Sequence, residues 1–511
     1  MINIKKFLFM IFIISTGMFV TLSACSSPNS NESESMTNIQ SDLADENLTL
    51  SGDELNKEIS EFQAANADYG GYKFRILGYE SFQGSWKAAE ISEIYAEEEN
   101  GDPINDAVYR RNRIVEELYN IEIALVPLSY GDRGSHSGIA LRPILAGEDA
   151  YDAALTIGTS LPPILGRSSQ TIDLFQVPGI DFEASWWDQN SVNELSIANR
   201  LHVVTGDLTL YSALASGMFY ANKTLIQEYE LADPYNLVRE NKWTWDSVYK
   251  MAREVTLDTN GDGIMDITVD QYGIGVENMS VGNTVRGAGE RITRKDENDI
   301  PYLAVNTPKA VQAMDIVFDV VFNKDISING SELVGYQSMY FNFFLPKFQE
   351  NRLLFMFHAL FTSLSMRDME SDFAILPPPM LDETQGRFYS CINETWGTYM
   401  WIPTTNTDHA RTGTVLHALG YYSQQYVTPA FLDVTVTHKV IRDEDSIEML
   451  DIILKSRTYD MGTIYNWGDL EDRFFRRGIP SRTNTFASDY ERAEAAVTTA
   501  MERTLTEMLE N

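Results

Sequence analysis

The chain has 511 residues, 44% of them hydrophobic, which is enough to bury the cores of two domains. Its 39 Lys and Arg against 74 Asp and Glu leave a formal charge of -35, and no basic stripe interrupts that field. This balance argues against nucleic acid and other polyanionic partners. The two cysteines, Cys25 and Cys391, allow no disulfide framework once Cys25 is modified as described next, so stability has to come from packing.

The chain begins with a short basic region (Lys5, Lys6), an apolar run from Phe7 to Val20, and Leu22-Ser23-Ala24-Cys25. The run is short for a membrane span, which needs about 20 apolar residues, and small residues precede the cysteine. Leu-Ser-Ala-Cys resembles the lipobox of bacterial lipoproteins. That resemblance implies a signal peptide over residues 1–24 and a diacylglycerol on the Cys25 thiol. An uncleaved anchor helix is the other reading, and both put the folded body outside the membrane. Residues 25–67, rich in Ser, Asn, Asp and Glu, read as a disordered stalk. Treated as a flexible coil of about 40 residues, it reaches roughly 35 Å.

The globular part, residues 68–511, opens with Tyr72–Gly78, whose alternation suits a strand. Pro103 to Tyr119 places Ile104, Val108, Val115 and Leu118 on one helical face, with Asn120 as its end cap. Strands follow at Ile121–Val126 and Asp152–Thr156. Strands alternating with helices argue for βαβ units and a parallel sheet, an α/β class. Further along, Thr307-Pro308, Asp445-Ser446 and Ser488 each open an amphipathic helix.

Catalytic signatures are absent: there is no phosphate-binding Gly-x-x-x-x-Gly-Lys-Ser/Thr, no Gly-x-Ser-x-Gly and no His-Glu-x-x-His. The six histidines show no tight metal-ligand spacing. Nothing in the sequence gives an enzyme positive support. A glycosidase-type carboxylate pair stays open, because carboxylates are too numerous to sort by counting.

Three segments carry a family resemblance. They are Trp187-Asp188 through Val203–Asp207 to Met218–Lys223; Lys242–Asp246 with Asp258–Asp266 and Gln271–Gly273; and Phe373–Pro379 with Trp396–Pro403. In this order, behind the Cys25 segment, they resemble the carbohydrate-type solute-binding proteins of ABC importers, the group containing maltose-binding protein. The resemblance implies a two-lobed periplasmic-binding-protein-like fold (type II) with lobes joined by crossing strands at a hinge. Lobe 1 would hold about 70–218 and 395–440, and lobe 2 about 219–394 and 441–511. It further implies a monomer, lipid-anchored on the extracellular face of the cell membrane, that captures a carbohydrate for ABC permease subunits. Alternatives are the same fold binding a peptide or a cationic solute, or a cell-surface glycan adhesin or hydrolase.

The ligand candidates are residues that the resemblance puts near loops or crossings: Tyr79, Glu80, Trp86, Asp207, Tyr211, Trp396, Tyr465 and Trp467. Aromatic faces suit sugar C–H surfaces, and carboxylates suit hydroxyls. Trp243 and Trp245 flank a helix start and read as packing. Asp258, Asn260, Asp262, the Ile264 carbonyl and Asp266 match positions 1, 3, 5, 7 and 9 of an EF-hand-like Ca²⁺ loop, with Gly263 at the turning position. Val269 stands where a bidentate Glu belongs, with Asp270 beside it. Structural Ca²⁺ and a metal-free Asx-rich turn both remain open.

Overall fold

The structure is a computed structural model that describes residues 66–81, 91–129, 134–167, 169–278, 280–330, 333, 340–366, 369–437 and 443–510. Residues 1–65, on which the expected signal peptide, Cys25 and nearly all of the expected stalk fall, lie outside the described residues, as does Trp86.

In chain order the strands are β1 (Tyr72–Tyr79), β2 (Ile121–Leu128), β3 (Ala153–Ile157), β4 (Gly217–Asn222), β5 (Tyr272–Val276), β6 (Thr293–Lys295), β7 (Pro301–Leu303), β8 (Ser327–Asn329), β9 (Leu353–Ala359), β10 (Phe373–Leu376), β11 (Ser390–Cys391), β12 (Thr398–Trp401) and β13 (Arg457–Thr458). They build two main sheets, one in each lobe. The first has order β12-β3-β1-β2; β1 runs parallel to β2 and β3, and β12 is antiparallel to β3. The second has order β10-β4-β9-β5-β8, with β4 antiparallel to both neighbours and β5 parallel to β8 and β9.

Local chemistry explains the elements that matter. The helix Pro103–Tyr119 joins β1 to β2. Its cap Asp102 accepts from the amides of Ile104 and Asn105, Pro103 occupies the first turn, and Asn120 ends it in the left-handed region (φ 50°). Thr307 caps the helix Pro308–Ile316 by accepting from Ala310 N. The helix read as opening at Asp445-Ser446 begins at Glu444, because Asp443 is the side chain that accepts from Ser446 N. The last helix runs Phe486–Glu510. Trp243 and Trp245 are buried beside Phe219, on either side of the cap Thr244.

The chain passes between the sheets at Ala215–Gly217 and returns at Ile392–Gly397. The two passages touch: Asn393 N donates to Ala215 O at 2.9 Å and Ser390 Oγ to Gly217 O at 2.5 Å. The return passage also lies against the end of β3, where Gly158 N donates to Gly397 O and Thr159 N to Glu394 O. A Cβ on Gly158 would stand 2.8 Å from Glu394 Cβ and 3.1 Å from its Cα, so this approach requires glycine. Gly158→Ala is expected to cost about 1–3 kcal/mol by overpacking. Gly138→Ala, in open space on the helix His136–Ala146, should gain about 0.5–1 kcal/mol. Melting temperatures of the two variants check the contrast: one falls and the other rises slightly.

Candidate functional site

Ligands of open α/β sheets bind beyond the carboxyl ends of the strands. Here the turn after β3 faces the second lobe across a cavity of about 260 Å³. Thr159 and Pro162 line it from the first lobe. Asn283 and Arg286 come from the helix Ser280–Gly287, Asn393, Glu394 and Thr395 from the return passage, and Thr463, Asn466, Glu471 and Arg476 from the last third of the second lobe.

Arg286 is its centre. Only 5% exposed, its guanidinium donates to Glu471 Oε1 at 2.5 Å, to Thr463 Oγ1 at 3.0 Å and to Asn283 Oδ1 at 3.3 Å. Glu394 Oε1 stands 3.9 Å away. Burial works against the charge on Arg286, but Glu471 and Glu394 more than offset it and hold the group charged. Burial pushes Glu394 up to about 7; the attraction of Arg286 opposes that rise, while the negative charge of Glu471 adds to it. Burial raises Glu471 too, yet Arg286 and Arg476 outweigh it and hold its carboxyl below the ordinary range. The two carboxylates therefore differ: Glu471 is the fixed counter-ion, and Glu394 is a group near half-protonation at neutral pH. Asn466 Oδ1 is buried without a hydrogen-bond partner. The Asn466 backbone sits in the left-handed region (φ 42°).

Guanidinium, carboxylate, amide and hydroxyl groups here converge on a small, partly open space. Such an arrangement suits a ligand with many hydrogen-bonding groups. Beside it, sharing Asn283, an apolar hollow is lined by Phe219, Trp245, Phe357 and Pro378. Within the cavity Thr463 Oγ1 donates to Glu471 Oε1 at 3.0 Å, and Cys391, the one cysteine among the described residues, is buried in β11.

The residues singled out from the sequence fall in several places. Tyr79 and Tyr211 come together, ring centroids 6.4 Å apart, but fully buried inside the first lobe. The Tyr79 hydroxyl meets His136 Nδ1 at 3.1 Å and accepts from Ile157 N; that of Tyr211 donates to Ile91 O at 2.6 Å. Burial and satisfied hydroxyls make both core residues. Glu80 is exposed at the end of β1. Asp207 accepts from Gln424 Nε2 and Thr428 Oγ1, tying its loop to a helical segment of the first lobe. Tyr465 and Trp467 stack at 4.8 Å, and Trp467 Nε1 donates to Thr504 Oγ1 on the last helix, so this pair anchors that helix; Asn466 between them lines the cavity. Trp396 is 6% exposed against Phe361, one residue beyond Thr395.

In the acidic loop, Asp258 accepts from the amides of Gly261 and Gly263, Asn260 from Asp262, and Asp262 from Ile264. The buried Asp270 accepts from Thr259 and Asp266. Leu257 and Gln271 pair to close the loop. Among the described residues, no group of three or more His, Cys, Asp or Glu is gathered as a metal cage. The side-chain oxygens of Asp258, Asn260 and Asp262 are each met by backbone amides of the loop itself.

No protein-family model matches the sequence, and no curated protein matches it. Solved structures do. The chain is similar to the ABC substrate-binding protein Lmo0181 from Listeria monocytogenes in complex with cycloalternan (12% identity, 86% of this chain and 99% of that one, TM-score 0.50). It is also similar to M. tuberculosis UspC (13%, 84% and 100%, 0.53) and to the maltose-binding periplasmic protein MalE from Listeria monocytogenes in complex with maltose (9%, 85% and 98%, 0.52). The likeness is one of fold: two α/β lobes joined by crossing strands, as in the ABC solute-binding proteins.

Removing one partner of a buried ion pair costs about 3–5 kcal/mol. Arg286→Met is expected to lose that much at pH 8. Glu394 has a folded-state pKa above its ordinary value, so its contribution is greatest at low pH and disappears as pH rises through 7. The Met variant, lacking the opposing cation, should therefore recover part of its loss at pH 5.5. Denaturant unfolding at the two pH values checks this.

Proposed function

On the fold of the ABC solute-binding proteins, we propose that this protein captures a carbohydrate, an oligosaccharide by preference, in the cleft around Arg286. It hands the sugar to ABC permease subunits. The observation that carries this reading is the cleft itself. Its amide, hydroxyl, carboxylate and guanidinium groups converge from both lobes and the return passage, with an apolar hollow alongside. Sugars need that combination of hydroxyl partners and apolar contact. Two solved structures of this fold are described as complexes with cycloalternan and with maltose, which supports the ligand class.

The cleft residues bind and orient; nothing in the reading requires turnover. Glu471 holds Arg286 in place, and Arg286, Asn283 and Asn393 meet the ligand's oxygens. Hinge closure over the ligand would bring the two walls together. The residue divisions proposed are lobe 1 at about 70–218 and 395–440, and lobe 2 at about 219–394 and 441–511. The body would act as a monomer on the extracellular face of the cell membrane, held through a diacylated Cys25 and its stalk.

A thermal-shift panel of mono- and oligosaccharides tests this. A sugar at about 100-fold over its Kd should add about 2.7 kcal/mol of apparent stability, without release of new reducing ends. If no sugar moves the transition while a peptide or a cation does, the carbohydrate reading fails. Product beyond one equivalent would contradict a pure binding role.

A structural Ca²⁺ on Asp258, Asn260, Asp262, Ile264 O and Asp266 belongs to the same proposal. Chelation is expected to lower the melting temperature and added Ca²⁺ to restore it. The double variant Asp258→Asn, Asp262→Asn should ignore both treatments. An unchanged transition in the parent protein identifies the loop as a metal-free turn.

A further inference from the structure

On a chain carrying -35, one hollow is basic. A cavity of about 500 Å³ lies apart from the cleft, with no lining residue in common. It sits between the helix Gln189–Glu194, whose chain runs on to pair with β12, and the β6–β7 hairpin of the second lobe. Five cationic side chains line it against two carboxylates.

The carboxylates are already committed. Asp460 accepts from Ile292 N, Gly462 N and Thr293 Oγ1 at 2.5, 2.8 and 2.9 Å. Glu194 accepts from Tyr459 N at 2.6 Å and stands 3.5 Å from Arg291. Two of the cations are committed as well, Lys295 to Asp299 and Arg457 to Asp188. Among the described residues that leaves Arg294 and Arg387 without a carboxylate partner, beside Arg291, whose pair with Glu194 is long at 3.5 Å. The guanidiniums of Arg291 and Arg387 both lie over the Tyr389 ring, 5.0 and 4.6 Å from its centroid. The ring itself packs on Gly289, where a Cβ would come within 2.7 Å of it. Among the described residues Arg294 reaches Gly289 O, at 3.5 Å. Guanidiniums gathered around one ring repel one another and keep forked N–H donors, and an oxyanion in the hollow would offset the repulsion and take those donors.

We propose that this hollow is a second ligand site, for an oxyanion carried on a hydroxylated body: a sugar acid or a sugar phosphate. The volume exceeds what a bare inorganic anion fills and lies within the range of metabolite pockets, about 300–1,000 Å³. Tyr302, 47% exposed, offers an aromatic face to sugar C–H groups beside the guanidiniums. The site draws its walls from both lobes, so an occupant would bridge them.

Titration calorimetry on the whole globular chain at low ionic strength tests the proposal, with glucuronate and glucose 6-phosphate as charged probes and glucose as the neutral one. At least one charged sugar should bind saturably, more weakly as salt rises, and at least tenfold more tightly than glucose. Which of the two binds identifies the anion as carboxylate or phosphate. The double variant Arg294→Gln, Arg387→Gln alters exposed side chains that the fold does not need, and should weaken that binding at least tenfold. It should leave the response to any cleft sugar unchanged. Absence of binding by both charged sugars, or affinity that survives the double substitution, would overturn the proposal. So would affinity that Arg286→Met abolishes and the double substitution does not, since that places the ligand in the cleft.

Discussion

A buried guanidinium has to be surrounded by acceptors, and here that requirement gathers the walls of the cleft. Arg286, on a short helix of the second lobe, is met by Glu471 and Thr463 from far along the chain and by Glu394 from the return passage. Glu394 in turn has its carbonyl taken by Thr159 N at the end of β3 in the first lobe. One residue thus touches both lobes, by its backbone on one side and its carboxylate on the other. The glycine at 158 exists because that contact leaves no room for a side chain.

The same electrostatics separate two carboxylates that look alike in sequence. Glu471, in contact with Arg286, is held ionised, whereas Glu394, a little further from the cation and buried, rises to about 7. A hydroxylated ligand in the proposed cleft would therefore meet one fixed acceptor and one group able either to donate or to accept. Binding should be tuned by pH near neutrality through Glu394 rather than through the histidines, of which His202, His358 and His417 are pushed down by burial.

What the sequence disclosed follows from the range of each signal. Caps and turns are local, so Thr307-Pro308, Asn120 and the helix start flanked by Trp243 and Trp245 marked helix ends that the structure bears out. The α/β alternation and the order of the three family-like segments pointed to the two-lobed fold. The cleft was not legible in that way. Its lining comes from five separated stretches, and Arg286 sits in Val285-Arg286-Gly287, which has no local signature. Among 74 acidic residues nothing distinguished Glu394 or Glu471. Aromatic residues after strands were reasonable candidates, but Tyr79 and Tyr211 close the first lobe's core, and Tyr465 and Trp467 seat the last helix. Of the residues singled out, Trp396, next to Thr395, and the Tyr465–Trp467 loop that carries Asn466 lie beside the lining of this cavity.

The central claim is that a sugar is held between the two lobes around Arg286. Hydrogen–deuterium exchange with and without a maltooligosaccharide measures this directly. Slower exchange is predicted in three separated stretches at once: the turn at 158–162, the helix 280–287 and the return passage 392–397. Protection confined to one lobe, or an exchange pattern that no sugar alters, would contradict it.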